Sequence, residues 1–438
     1  MEKQALKEKI CQVIDAHRLE IIQAGESIYS HPELGYKEEF ATQVMVESFE
    51  KLGLSVEKHI AVTGCRARSK NENAGPRISV LGELDAILCK EHQDADPVTG
   101  AIHACGHNIQ AAAMLGTAIG LVKSGVMDLL DGSVEFMAVP AEEFVELEFR
   151  DQLRKEGKIQ YFGGKQELIA KGYFDDVDIS MMVHALNMPD KTFLTGPNGN
   201  GFIGKKVNFI GKEAHAGSAP QDGINALNAA MLALNNIHAQ RETFAEADKI
   251  RVHPIITKGG DIVNVVPADV RMELYVRGRT IPGIVAANQK VNRSLKAGAM
   301  AIGAQVEIEE IPGYLPLLNV PELDRIFAEN AGELVDPDTI VKGGDFTGSF
   351  DFGDVSHILP VLHPFVGGVV GALHTREFAN RDHELTYIAP AKAMAMTIVD
   401  LLYDGADQAK KIIADFKPEM TKEDYLAYME SVTGTIRA

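Results

Sequence analysis

Basic side chains are scarce in this chain of 438 residues: 43 Lys and Arg stand against 62 Asp and Glu, a formal charge of −19. A phosphate backbone is bound by clustered Lys and Arg, so no nucleic-acid partner is expected. An anionic membrane surface is disfavoured for the same reason. Long apolar runs are missing too, and no stretch reaches the roughly 18 consecutive apolar residues of a membrane span. The opening residues, MEKQALKEKICQVIDAHRLEIIQAG, form an amphipathic helical pattern with interspersed charges. They lack the apolar centre and small-residue cleavage site of a signal peptide. Cysteine is rare: Cys11, Cys65, Cys89 and Cys105 are widely spaced, with no disulfide framework. That usage fits a reducing compartment, and a cytoplasmic protein is expected. No internal repeat or low-complexity run stands out. With 45% hydrophobic and 24% charged residues, the chain is too apolar to be disordered. Its length suggests roughly two to four domains.

Helix and strand patterns alternate along the chain. Helices are expected at about 2–28, 37–53 and 108–123, and apolar strands at 78–81, 134–139, 179–183 and 366–373. Apolar strands between helices predict an α/β fold, a central sheet covered on both faces. The middle differs. Strand patterns at 205–211, 250–257, 270–277 and 305–311 interleave with helices at 225–241 and 282–303. That order, βαββαβ, is the split arrangement of ferredoxin-like α+β domains. Gly/Pro/Asn-rich flanks punctuate it on both sides. The expected organisation is a catalytic domain of 1–196 and 314–438, interrupted by an inserted domain at 197–313.

Four segments place metal-type side chains just beyond a predicted strand or at a helix start: His103-Ala104-Cys105-Gly106-His107, Ala141-Glu142-Glu143, Val183-His184-Ala185 and His374-Thr375-Arg376-Glu377. In open α/β sheets ligands bind beyond the carboxyl ends of the strands, where residues distant in sequence converge. Thiolate, imidazole and carboxylate suit zinc and tolerate manganese, cobalt or nickel. Adjacent carboxylates on an extended segment point to opposite sides, so one of Glu142 and Glu143 can bind metal while the other acts as a base. Each segment alone has a plainer reading. A lone cysteine is usually apolar filler, a lone histidine a satisfied core residue, a carboxylate pair a solvated surface. Asp85, in Gly82-Glu83-Leu84-Asp85, reads either as a residue that orients a ligand or as a turn aspartate.

Taken together the segments resemble the metallo-amidohydrolases of peptidase family M-twenty, subfamily D. SHPELGY at 30–36, HACGH at 103–107, AEE at 141–143, VHA at 183–185, AHAGSAP at 214–220, DGINAL at 222–227, NVVP at 264–267 and HTREF at 374–378 carry the likeness in order along nearly the whole chain. The branch resembled is that of the p-aminobenzoyl-glutamate hydrolases and the β-alanyl-dipeptide hydrolases. The resemblance implies two divalent ions, zinc or manganese, on Cys105, His107, Glu143, His184 and His374. It implies Glu142 as general acid/base and His215 as a stabiliser of the carbonyl oxygen. Asn264 and Arg277 fall on substrate-holding positions, and the inserted lid domain is expected to make a homodimer. The implied reaction is hydrolysis of an N-acyl amino acid or a small dipeptide-like amide. One departure is Asn108, where the commoner run has an aspartate; it cannot supply that charge, so metal preference could differ. Two other classes stay open: a Cys-His nucleophilic hydrolase built on Cys105, and a non-catalytic metal-binding relative.

Overall fold

The computed structural model describes residues 2–69, 74–344 and 346–438. They form two compact units. The first comprises Met1–Asn198, Leu318–Asp345 and Val355–Glu419, the second Gly199–Leu317, Phe346–Asp354 and Met420–Ala438. The segment 420–438, expected with the catalytic domain, thus clusters with the inserted one.

The first unit is α/β. Its six-stranded sheet runs Ser55–Ile60, Gly64–Arg68, Ser133–Val139, Arg77–Glu83, Ile179–Met181, Val361–Leu362. The first two strands join antiparallel and the other four run parallel. Every residue of Ser133–Val139 is buried and six of seven in Arg77–Glu83, as expected of strands with both faces covered. The helix His107–Lys123 is buried through Leu121, and its small residues admit close neighbours. A Cβ on Gly116 would lie 2.7 Å from Ala391 Cβ, and one on Gly120 2.8 Å from Ile14. The stretch Glu384–Leu402 is long and apolar enough by composition to cross a membrane, but 83% of its apolar window is buried inside the protein. It is a core helix.

Two expectations change here. The first helix divides into Lys3–Ala16 and Arg18–Tyr29 at His17, whose φ of −106° and ψ of 10° leave the helical region. No proline or glycine marks that break. The strand expected at 366–373 is two short pieces, Phe365–Val366 and Val369–Val370. Gly368 and Gly371, at φ 90° and 75°, turn the backbone out of the strand.

The second unit is a five-stranded antiparallel sheet in the order Arg251–Lys258, Asp269–Gly278, Gly201–Ile210, Gln305–Pro312, Gly434–Arg437. The first four are the βαββαβ strands in ferredoxin-like order. The fifth, from the C-terminus, was not expected and pairs Ile436 with Ile308. Helices Ala226–Gln240 and Ile281–Met300 pack on the sheet, the first capped by Asn225, whose side chain accepts the Asn228 N–H.

Candidate metal centre

Three adjacent parallel strands end in the first unit's site. Arg77–Glu83 leads to Asp85, Ser133–Val139 to Glu142 and Glu143, and Ile179–Met181 to His184. Cys105 and His107 arrive from the helix start at Gly106, whose φ of 82° is left-handed and where a Cβ would lie 2.9 Å from Ala185 Cβ. Only glycine fits both demands. His374 also has positive φ, 63°, and its N–H donates to Ala104 O at 2.9 Å, tying the loop of His374 to that of Cys105.

All five expected ligands converge, in two trios of donor atoms that share Cys105: with His107 and His184, and with Glu143 and His374. Cys105 Sγ lies 3.5 Å from His184 Nε2 and 3.3 Å from His374 Nε2, and His374 Nε2 is 2.9 Å from Glu143 Oε1. Glu142 stands outside both trios, its Oε2 3.8 Å from His107 Nε2. The adjacent carboxylates therefore serve different histidines. His103, the first residue of the motif, joins neither trio. Burial and the charge of His107 hold it down to about 3, so it is neutral.

The donors fit divalent metal. His107 Nε2, wholly buried, makes no hydrogen bond. Its Nδ1 faces Asp85, 2.8 Å from the backbone oxygen and 3.2 Å from Oδ1, so Nδ1 donates and Nε2 is the nitrogen turned into the cluster, available to a metal in the neutral ring. His184 Nδ1 is likewise 2.8 Å from Ala185 O. Burial and Glu143 push the Cys105 thiol up, but His374, His184 and His107 outweigh them and bring it down to about 6. A thiolate is the form that binds metal. Burial also raises Glu143, yet His374 holds it at about 2.

The Glu142-Glu143 turn is propped from beneath. Ala141, at φ 56°, donates its N–H to Glu38 Oε1 at 2.8 Å. The guanidinium of Arg150, fully buried, bonds the carbonyls of Ala141, Glu143 and Phe162. Gly35 of the SHPELGY run lies against the same turn, where a Cβ would be 2.9 Å from Ala141 Cα. Sequence reasoning missed Glu38, Arg150 and a second buried group, Glu83 with Lys165 and Gln110, since no spacing pattern links them to the motifs. Asn108, whose missing charge was expected to bear on the metal, donates from Nδ2 to Tyr387 Oη at 2.9 Å and Gly25 O at 3.4 Å. These contacts tie the start of its helix to Gly25 and Tyr387.

The other expected residues belong to the second unit. His215 is exposed, and its Nδ1 accepts the N–H groups of Gly217 at 3.2 Å and Ser218 at 3.1 Å. Its proton is therefore on Nε2. The Ala216 N–H donates to Asn264 O and the Val266 N–H to Ala214 O, both at 2.9 Å, so the AHAGSAP and NVVP runs lie side by side. Asn264 is exposed. Arg277 is half-buried, its guanidinium 5.4 Å from the rings of Phe202 and of Tyr275.

Comparisons with known proteins bear on the fold and on the class of enzyme. Residues 200–296 match the peptidase dimerisation domain. The chain is 29% identical to the Xaa-Arg dipeptidase of Homo sapiens over 98% of its own length and 96% of that protein's. It is 25% identical to the N-acyl-L-amino acid amidohydrolase of Geobacillus stearothermophilus, covering 73% and 83%. A solved Bacillus subtilis structure described as a dinuclear metal binding peptidase from the M-twenty family superposes with a TM-score of 0.63 at 21% identity, over 89% of this chain and 99% of that one. The fold, the dimerisation-domain match and the near full-length relatives converge on one conclusion: the chain carries a peptidase dimerisation domain, is similar along nearly its whole length to dipeptidases and amidohydrolases of the M-twenty type, and is a hydrolase of amide bonds.

Proposed function

We propose that the protein cleaves the amide of an N-acyl amino acid or a small dipeptide-like compound, as a homodimer carrying two zinc or manganese ions per subunit. The observation that carries this reading is the sharing of Cys105 between two donor trios, with Glu142 beside them and in neither. Cys105, His107 and His184 would hold one ion, and Cys105, Glu143 and His374 the other. Thiolate and imidazole favour zinc, the carboxylate admits manganese, and cobalt or nickel are tolerated. When bound, the ions supply Lewis acidity toward the water and the substrate carbonyl.

Glu142 takes the proton of the attacking water and returns it to the leaving nitrogen, a role typically worth about 10²–10⁴ in rate. In the homodimer His215 offers its Nε2–H to the carbonyl oxygen, where charge develops. Arg277, its guanidinium stacked on Phe202 and Tyr275, and Asn264 would hold the substrate's carboxylate. The names of the human dipeptidase and the Geobacillus amidohydrolase support the substrate class. The dimerisation-domain match supports the homodimer. The four free cysteines support a cytoplasmic location.

The test is hydrolysis of a panel of N-acyl amino acids and of β-alanyl and p-aminobenzoyl conjugates after metal removal and reloading. Wild type is expected to lose activity to a chelator and regain it with zinc or manganese. Glu142→Gln is expected to keep its metal and lose turnover. Activity that resists chelation but is destroyed by iodoacetamide would overturn the reading and make Cys105 a nucleophile. A wild type that binds metal and cleaves nothing would leave a metal-binding relative without catalysis.

A further inference from the structure

One buried cluster beside the centre has no part in the mechanism above. Glu83 ends the strand Arg77–Glu83 with a side chain 1% exposed. Its Oε1 accepts from Lys165 Nζ at 2.5 Å, and Lys165 is itself fully buried. Its Oε2 accepts from Gln110 Nε2 at 2.7 Å. The backbone N–H of Glu83 returns to Gln110 Oε1 at 3.3 Å, so the amide grips residue and side chain together. A buried carboxylate and a buried ammonium are each costly unless paired, and here each provides the other's charge.

The remaining direction of Oε2 is toward His107. Glu83 Oε2 lies 3.1 Å from His107 Nε2, and no hydrogen bond is made there. With Nδ1 donating to Asp85, Nε2 and Oε2 face each other in a dry interior, where either a proton or a metal ion can sit between them. Such a contact is repulsive unless something positive lies between or beside them. Their spacing suits two donors on a common ion at ordinary ligand distances of about 2.0–2.2 Å. Glu83, His107 and Glu142 indeed form a third trio of donor atoms within metal-binding reach, all buried, joined to the first through His107.

We propose that Glu83 is a further ligand of the ion held by His107, aimed by Lys165 and Gln110. This rests on the metallohydrolase reading and extends its ligand set from five to six residues. Lys165 keeps Oε1 engaged and so directs Oε2 at the ion. It also offsets the negative charge that Glu83 adds to a centre already holding Cys105, Glu142 and Glu143. A carboxylate oxygen joining thiolate and imidazole makes that position harder, and raises its tolerance of manganese and cobalt relative to a sulfur–nitrogen set.

The test is cobalt(II) titration of the metal-free protein, followed by calorimetry and by the visible absorption of the bound ion. Wild type is expected to take up two ions. Glu83→Gln is expected to weaken one of the two binding steps by at least ~10-fold, and to change the visible bands because the ion loses a ligand. Glu83→Gln leaves Lys165 unpaired, so the double variant Glu83→Gln/Lys165→Met, which removes both charges, is measured alongside and is expected to give the same loss. Two ions bound with wild-type affinities and wild-type bands in either variant would overturn the proposal while leaving the metallohydrolase reading intact. A wild type that binds no cobalt would overturn both.

Discussion

The carboxylate of Asp85 joins two of the metal-capable residues: Oδ1 lies 3.2 Å from His107 Nδ1, and Oδ2 accepts the backbone N–H of Glu143 at 2.8 Å. With its backbone oxygen, 2.8 Å from the same Nδ1, Asp85 thus orients the imidazole, and its side chain also positions the neighbouring carboxylate. Asp85→Ala is expected to lower affinity for divalent metal by about 10–100-fold, read by competition with a coloured chelator. Unchanged affinity would reduce Asp85 to a turn residue.

Glu38 governs the turn that separates Glu142 from Glu143. It accepts from the Ala141 N–H at 2.8 Å and the Thr63 hydroxyl at 2.5 Å. Burial and the charge of Asp85 push its carboxyl up to about 8, so a neutral side chain suits the position. Glu38→Ala leaves buried donors unpaired, at a cost of about 1–3 kcal/mol. A misplaced Glu142 then lowers kcat by up to ~100-fold. Glu38→Gln keeps an acceptor and is expected to restore most of the activity. Equal damage from both variants would show that the charge, and not the support of the turn, matters.

The proposed homodimer has a candidate seam in the second unit. Arg251–Lys258 is an edge strand, and Ile255 and Ile256 on it are 61% and 42% exposed. The unpaired backbone of an edge strand is a template for pairing with another strand, and the two isoleucines add apolar surface to it. Ile255→Glu is expected to weaken self-association by at least ~100-fold, about 2.7 kcal/mol. Sedimentation velocity would then report a 47.5 kDa monomer in place of a dimer. A variant that still sediments as a dimer would move the interface elsewhere.

Asp324, in the first turn of the helix Pro321–Gly332, gives a pH dependence away from the centre. Burial raises its pKa from 3.8 to about 6, with the Gly196 N–H and Lys342 only partly opposing. An acid whose folded pKa lies above its unfolded one binds its proton more tightly when folded. Its stabilising share is therefore present below about pH 4 and is lost as pH rises through 6. Asp324→Asn, whose amide oxygen can still accept from Gly196, is expected to gain about 1–3 kcal/mol at pH 7.5 and almost nothing at pH 4. Thermal melts at the two pH values check this, and a gain that is equal at both would refute the assignment.

Local chemistry made the outline legible. The runs at 78–81 and 134–139 read as buried strands because both faces are covered, and the alternating segments from 205 to 311 read as a ferredoxin-like domain. HACGH, AEE, VHA and HTREF were recognisable because each sits where a strand ends or a helix starts, and their donor atoms do meet. The same reasoning overran the glycine turns after Phe365 and passed over the break at His17. It also placed Gly434–Arg437 in the wrong unit, because a short exposed strand has no periodicity to reveal its partner.

The sequence by itself determined which side chains could bind metal, because donor type is a property of the residue and strand ends are written in local hydrophobic pattern. Only the tertiary structure decided how they divide: that Cys105 is shared by two trios, that Glu142 lies outside those two and meets Glu83 and His107 instead, and that Asn108 packs against Tyr387. It alone paired Glu83 with Lys165 across 82 residues and Glu38 with Ala141 across 103. Those contacts are set by how buried layers pack, and no local period records which charge will lie opposite which once water is excluded.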